Sequence, residues 1–181
     1  MVGSKAYFLP IIVFAILVSF LAYRLELINR GNAPNLIPSV MMGRQMPVFT
    51  LPPVANGVRE LASADLKGKI VLIDIFASWC VQCLIEHPVL AKVKAAGIIL
   101  AGIDYKDKPE DARAWLAKHG NPYDMIGADS DGHVAIDFGV YGAPESYLVD
   151  KQGIIRFKQT GPLTDEIIQN TVIPLSRELS K

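Results

Sequence analysis

An apolar run, Ile70-Val71-Leu72-Ile73-Asp74-Ile75-Phe76, leads directly through Ala77-Ser78 into Trp79-Cys80-Val81-Gln82-Cys83. No other part of the chain constrains the fold as much. The run has the length and composition of a buried strand, and Leu84 to Ala96 those of a helix. A Cys-x-x-Cys at a strand-to-helix junction sets its first sulfur at a helix N-terminus. There the unpaired backbone N–H groups and the positive end of the helix dipole favour a thiolate. The thiolate is the species that attacks disulfides. Cys80 and Cys83 are the only cysteines among the 181 residues. As a structural disulfide they would close a very short loop and remove little entropy from the unfolded chain. As zinc ligands, with His87, they lack a fourth partner, since His119 and His133 stand alone. Redox chemistry is therefore the preferred reading of the pair.

With 51% hydrophobic residues and a formal net charge of zero, the composition is that of a globular protein with one extra apolar segment. No basic patch marks a nucleic-acid partner. Tyr7 to Tyr23 is uncharged, with Lys5 before it and Arg24 after it. As a helix it would be about 26 Å long, near the lower limit for crossing a bilayer. An uncleaved anchor is preferred to a signal peptide, because Phe20, Leu21 and Tyr23 are too bulky for a small-x-small cleavage site. Charge does not set its orientation: Lys5 and the amino terminus face Arg24 and Arg30 across the span. The expected organisation is an anchor over 1–30, a tether over 31–43 and one domain over 44–181. The tether would keep that domain at high effective concentration near partners in the same membrane.

Within the domain, Val48–Leu51 and Val58–Leu61 are expected as strands joined by an Asn56-Gly57 turn, with Ser63 capping a brief helix that ends at Gly68. A helix from about Val81 to Lys94 should kink at Pro88. Gly97–Asp104 reads as a buried strand, Pro109–His119 as an amphipathic helix, Ser146–Val149 and Ile154–Phe157 as a hairpin, and Thr164–Leu179 as a last helix. This alternation predicts an α/β fold with a mixed central sheet.

Four segments carry a resemblance. They are Ala77-Ser78-Trp79-Cys80-Val81-Gln82-Cys83 with Glu86-His87-Pro88, Gly102-Ile103-Asp104-Tyr105-Lys106-Asp107, Gly120-Asn121-Pro122-Tyr123, and Gly139-Val140-Tyr141-Gly142-Ala143-Pro144-Glu145 running on to Asp150. In this order the chain resembles the DsbE/CcmG family of membrane-anchored thiol:disulfide interchange proteins. The resemblance implies a thioredoxin-like fold (a mixed central sheet flanked by helices, with an N-terminal β-hairpin extension) behind an N-terminal transmembrane helix. It also implies a reductant on the periplasmic face of a bacterial inner membrane, acting in cytochrome c maturation. Its partners would be apocytochrome c, whose haem-binding cysteines it keeps reduced, other maturation components, and a membrane electron carrier that re-reduces it. No cofactor is expected beyond the Cys80–Cys83 disulfide. The chain departs from the family where Asn is usual at the positions of Asp74 and Asp104, and Thr-Phe at Ser146-Tyr147. Asp74 instead matches the buried acid of thioredoxin.

Cys80 is expected to be the exposed nucleophile and Cys83 the more buried resolving thiol. Val81 and Gln82 carry no charge, so the Cys80 thiolate is only moderately stabilised; that disfavours a strong oxidant and argues for a reductant. Asp74, isolated among apolar neighbours, is the candidate base for Cys83, with a structural buried acid as the alternative. Glu86 is either a charge tuning Cys83 and its access to water or a charge on the helix surface. His87 is expected in packing or at the surface. The resemblance implies a cis bond before Pro144 and a substrate segment docking against the Ala143 backbone. Glu145 would lie beside that groove or in an exposed turn, and Trp79 would cover the cysteine pair or pack in the core.

Two rivals come from other classes. A copper metallochaperone of this fold would use two cysteines and a distal histidine, but such cysteines are spaced by three residues, and His133 has no matching motif. A peroxidase would need Thr-x-x-Cys, and Ala77 occupies the Thr position. A general periplasmic disulfide reductase or isomerase is the nearer alternative.

Overall fold

The computed structural model describes residues 8–29, 41–55 and 59–181. The chain divides into two units, Met1–Pro38 and Ser39–Lys181. In the first, helix α1 (Phe8–Asn29) is apolar on every side. Its segment Phe8–Glu26 is long and apolar enough to cross a membrane. Tyr7 lies outside the described residues.

The second unit is built on a five-stranded sheet in the order β5-β4-β3-β6-β7. The strands are β3 (Val71–Phe76), β4 (Ile99–Tyr105), β5 (Met125–Asp129), β6 (Glu145–Val149) and β7 (Ile155–Thr160). β3 to β5 are mutually parallel, and β6 and β7 run antiparallel to their neighbours. The sheet is therefore mixed, as the alternation of elements predicted, and its architecture is thioredoxin-like.

β3 is central and all six of its residues are buried. Alternation divides them between two cores. Leu72 and Phe76 face a layer with Leu90, Val93, Leu116, Ile168 and Val172, drawn from α3 (Val81–Ala95), α4 (Pro109–His119) and the C-terminal helix. Val71, Ile73 and Ile75 face Phe49, Leu61, Phe138 and Tyr147 on the other side. Asp74 falls on the first face, between Leu72 and Phe76.

The N-terminal stretch of this unit crosses the second face from one sheet edge to the other. Gly43 N–H donates to Ile155 O at 2.8 Å, beside β7, and Ala128 N–H donates to Pro52 O at 2.8 Å, on β5. Both edges are thereby partly satisfied. The expected tether mostly lies outside the described residues. Its last three residues, Met41 to Gly43, belong instead to the domain, where Met41 packs against the second core. The expected hairpin is shorter than Val48–Leu51 and Val58–Leu61 implied. β1 (Thr50–Leu51) pairs with β2 (Leu61–Ala62), Val48 is exposed, and the Asn56-Gly57 turn and Val58 lie outside the described residues. Ser63 is the first residue of α2 (Ser63–Leu66) rather than its cap; its hydroxyl accepts Phe49 N–H at 3.1 Å.

α3 runs through Pro88 as one helix. The last helix carries a break not expected from the sequence. α6 (Asp165–Ile167) passes through a π-helical turn, Ile168–Val172, into α7 (Ile173–Ser180). Pro174 lacks the N–H that a regular α-helix would require, which favours the wider turn.

Gly127 marks where the hairpin meets the sheet. A Cβ there would lie 2.5 Å from Leu51 Cβ and 3.0 Å from Leu61 Cβ. Gly127→Ala should therefore destabilise the domain by about 1–3 kcal/mol, the usual cost of overpacking. Chemical denaturation measures this; an unchanged midpoint would mean that β1 and β2 are not seated on β5.

Candidate active site

At the C-terminal end of β3, Ala77 to Trp79 turn the chain into α3, and Cys80 becomes the helix N-cap. Its backbone is extended (φ −87°, ψ 109°), and its Sγ accepts Cys83 N–H at 3.1 Å. The sulfur thus takes the place of an ordinary Ser or Asp cap, beside amides that the helix leaves unpaired. Cys80 and Cys83 form a disulfide with their Cα atoms 5.3 Å apart. The expected exposure of Cys80 is not found: Cys80 is 5% exposed and Cys83 1%. Both residues pack into the cluster that holds Phe76, Ala77 and Leu90.

The segment after β4 ties this turn down. Ser78 N–H donates to Asp107 Oδ2 at 2.6 Å, and Trp79 Nε1–H donates to Lys106 O at 3.1 Å. Lys106 is held at φ 48°, a left-handed conformation that costs a non-glycine residue about 1–2 kcal/mol. Trp79 is 55% exposed, so it is not a core residue.

The register Ile75↔Glu145 sets the start of β6 beside the end of β3. The loop before β6 therefore lies at the same end of the sheet as the disulfide. Its Ala143–Pro144 peptide is cis, and Ala143 packs against the cluster that contains both cysteines. Glu145 is neither a groove-side nor an exposed turn charge. It is fully buried and accepts Tyr141 N–H (3.0 Å), Tyr147 O–H (2.8 Å) and Lys158 Nζ (2.8 Å).

Asp74 is fully buried on the face that α3 covers. Tyr123 O–H donates to its Oδ2 at 2.8 Å and Ser146 O–H to its Oδ1 at 3.0 Å. Burial pushes its carboxyl up to about 6, and the two hydroxyl donors hold it from rising further. Glu86 is also buried, which rules out the helix-surface reading. It accepts Leu163 N–H through Oε2 at 2.8 Å, while Oε1 has no partner. Burial and then the charge of Asp74 push it up to about 10. Of the two, Glu86 is therefore the one held more strongly in its protonated form. His87 is a packing residue: its ring meets Trp115 edge-on at 4.5 Å, and Nε2 bonds Gly120 O at 2.9 Å.

The AhpC/TSA family matches residues 42–158. Over 171 residues the chain is 41% identical to the thiol:disulfide interchange protein DsbE of Pseudomonas aeruginosa, covering 94% of this chain and 92% of the relative. It is 36% identical over 178 residues to DsbE of Escherichia coli K12, covering 98% and 96%. The chain belongs to the DsbE family of thiol:disulfide interchange proteins. Among solved structures it resembles a putative DsbE from Chlorobium tepidum, with a TM-score of 0.63 at 26% identity over 75% of this chain and 96% of that one. The thioredoxin domain of a thiol-disulfide oxidoreductase from Bacteroides vulgatus matches with a TM-score of 0.66 at 25% identity over 76% and 99%. The chain is a thioredoxin-fold thiol:disulfide oxidoreductase.

Within this DsbE site, sequence reasoning missed the donors. Tyr123 and Ser146 contact Asp74 from distant segments, and Lys158 pairs with Glu145 from β7. The motif around Gly120–Tyr123 contained the first of them, and Ser146 stood in the fourth segment as a departure from the family pattern, but neither was read as a partner of Asp74. Asp104 was visible only as a departure from the family pattern. It is fully buried, and neither side-chain oxygen receives a hydrogen bond from the described residues. Burial, followed by the neighbouring charge of Asp107, pushes it up to about 8.

That shift fixes the sign of a pH effect. Between an ordinary carboxyl value near 4 and about 8, folded Asp104 holds a proton that the unfolded chain releases. Its contribution to stability therefore declines as pH rises through this window and levels off above it. Asp104→Asn should stabilise the protein little near pH 4.5 and by about 1–3 kcal/mol at pH 8.5. Denaturation of parent and variant at both pH values tests this; a difference that does not grow with pH would show that Asp104 is ionised when folded.

Proposed function

We propose that this chain is a membrane-anchored reductant on the periplasmic face of a bacterial inner membrane. It keeps the haem-binding cysteines of apocytochrome c reduced during cytochrome c maturation and is itself re-reduced by a membrane electron carrier. The observation that carries the redox direction is the setting of Cys80. Its sulfur accepts a backbone N–H as the cap of α3, and the intervening Val81 and Gln82 are uncharged. A thiolate held by amides alone is moderately stabilised, and a moderately stable reduced form makes a weak oxidant. The apolar length of Phe8–Glu26 supports the anchor. The copper alternative would need a histidine beside the cysteine pair; His87 Nε2 is engaged by Gly120 O, His119 packs against Trp115, and His133 lies 3.6 Å from Asp131.

In the reducing direction the Cys80 thiolate attacks a substrate disulfide, forming a mixed disulfide and releasing one substrate thiolate. Cys83 then passes its proton to Asp74 and attacks the Cys80 sulfur. The second substrate thiolate leaves, so the substrate becomes a dithiol and Cys80–Cys83 a disulfide. Ala143 and Pro144 form the docking edge for an extended substrate segment.

Capture of mixed disulfides by the full chain carrying Cys83→Ala in its native membrane tests the substrate. Polypeptides bearing Cys-x-x-Cys-His should dominate; a broad set of unrelated proteins would make the chain a general reductase. Equilibration with glutathione tests the direction, and a potential near about −120 mV, that of strong oxidases, would reject it.

Asp74→Asn keeps the shape of the side chain and removes the base. Resolution of the mixed disulfide should slow by about 10²-fold, while the first attack by Cys80 stays nearly unchanged. Stopped-flow measurement of the two phases decides this; equal resolution rates would leave Asp74 a purely structural acid.

A further inference from the structure

Lys158 lies on β7, opposite Tyr147, with a side chain only 6% exposed. A buried ammonium is costly unless its protons find acceptors. Here it donates to Glu145 Oε2 at 2.8 Å and to Gly139 O at 3.0 Å. It also stands 5.2 Å from the ring centroids of both Tyr141 and Tyr147, within the range of cation–π attraction. Glu145 in turn accepts Tyr141 N–H at 3.0 Å through its other oxygen. One lysine therefore joins Gly139, the first residue of the Gly139–Pro144 loop, to Glu145, the residue that follows it, and through Glu145 it reaches the Tyr141 amide in the middle. Tyr141 itself is 87% exposed. Tyr141 is thus open to a partner, while the loop beneath it is tied to a buried ion pair.

We infer that Lys158 is a positioning residue of the exchange site. It holds the Gly139–Pro144 loop in the shape that receives an extended polypeptide disulfide, without touching either cysteine. The inference rests on the reading of Ala143 and Pro144 as the docking edge. A small disulfide needs only the sulfur of Cys80, whereas a polypeptide must also align along the loop. Lys158 therefore sets the preference for polypeptide over small disulfides. Misplacement of a docking edge by about 1 Å is enough to cost one to two orders of magnitude in rate.

The test uses the full chain in detergent micelles and two substrates: a peptide closed by a Cys-x-x-Cys disulfide and oxidised glutathione. Lys158→Met should lower the ratio of the peptide rate to the glutathione rate by about tenfold or more. Hydrogen exchange at the Tyr141 amide should accelerate, and Lys158→Arg, which keeps the charge and the donors, should restore both. Lys158→Met also leaves Glu145 buried without its counter-ion. The double variant Lys158→Met, Glu145→Gln removes that charge. It should recover thermal stability yet keep the lowered ratio and the fast Tyr141 exchange, and it carries both readouts if the single variant does not fold. A double variant that regains the parent ratio would reduce Lys158 to charge neutralisation and overturn the inference. Unchanged exchange at Tyr141 in both variants would show that Lys158 does not hold the loop. Fast exchange at Tyr141 with an unchanged ratio would instead remove the docking role of the loop, and the inference with it.

Discussion

Strand β3 is buried along its whole length and paired on both edges, with β4 on one side and β6 on the other. Every part of the exchange site is aligned against it. Its C-terminal end delivers Cys80 to the start of α3. The parallel partner β4 ends alongside, so Lys106 and Asp107 reach the turn before Cys80. The antiparallel partner β6 begins there, and so the loop that ends in Ala143 and Pro144 lies at the disulfide's end of the sheet, with Ala143 packed against the cluster that holds both cysteines. A one-residue slip of register would invert the strand's faces and turn Asp74 away from the layer that holds Cys83.

The site is surrounded by carboxyl groups that are all buried and yet behave differently. They differ in the donors each receives, in burial and in the charges nearby. Glu145 receives a backbone N–H, a phenol and an ammonium. Asp74 receives two hydroxyls and is poised near neutrality. Glu86 receives a single amide and Asp104 none, and these two retain their protons to progressively different pH values according to burial and neighbouring charge. Desolvation raises Asp74, Glu86 and Asp104 alike; two hydroxyl donors restrain Asp74, and neighbouring negative charge raises Glu86 and Asp104 further.

Much of the fold was legible because it rests on local pattern. The β3 run, the Pro109–His119 helix with its proline start and glycine end, and the Ser146–Phe157 hairpin region all follow from hydrophobic periodicity and turn residues. β5 was not legible, since Met125-Ile126-Gly127-Ala128-Asp129 has low β propensity and forms a strand only through pairing with β4 and cover from the hairpin. α5 (His133–Asp137) is a single short segment whose first amides are capped by Asp129, four residues before it. Neither signal is visible without the neighbours.

For the site, the sequence by itself determined the chemistry. Cys-x-x-Cys behind a buried strand sets a sulfur at a helix start, and an aspartate in an otherwise apolar run becomes a buried acid once that run is the central strand. Only the tertiary structure decided the electrostatic state of the remaining groups. Glu86 and Glu145 look like surface charges in the chain, and burial with their particular partners makes one a neutral acid and the other half of an ion pair. Cys80 looks exposed at its helix end, and packing covers it. The reason is physical. The spacing of residues fixes which groups share an element, whereas charge state depends on donors and dielectric supplied by segments far apart in sequence. Lys158 reaches Gly139 and Glu145 only after β7 has paired with β6.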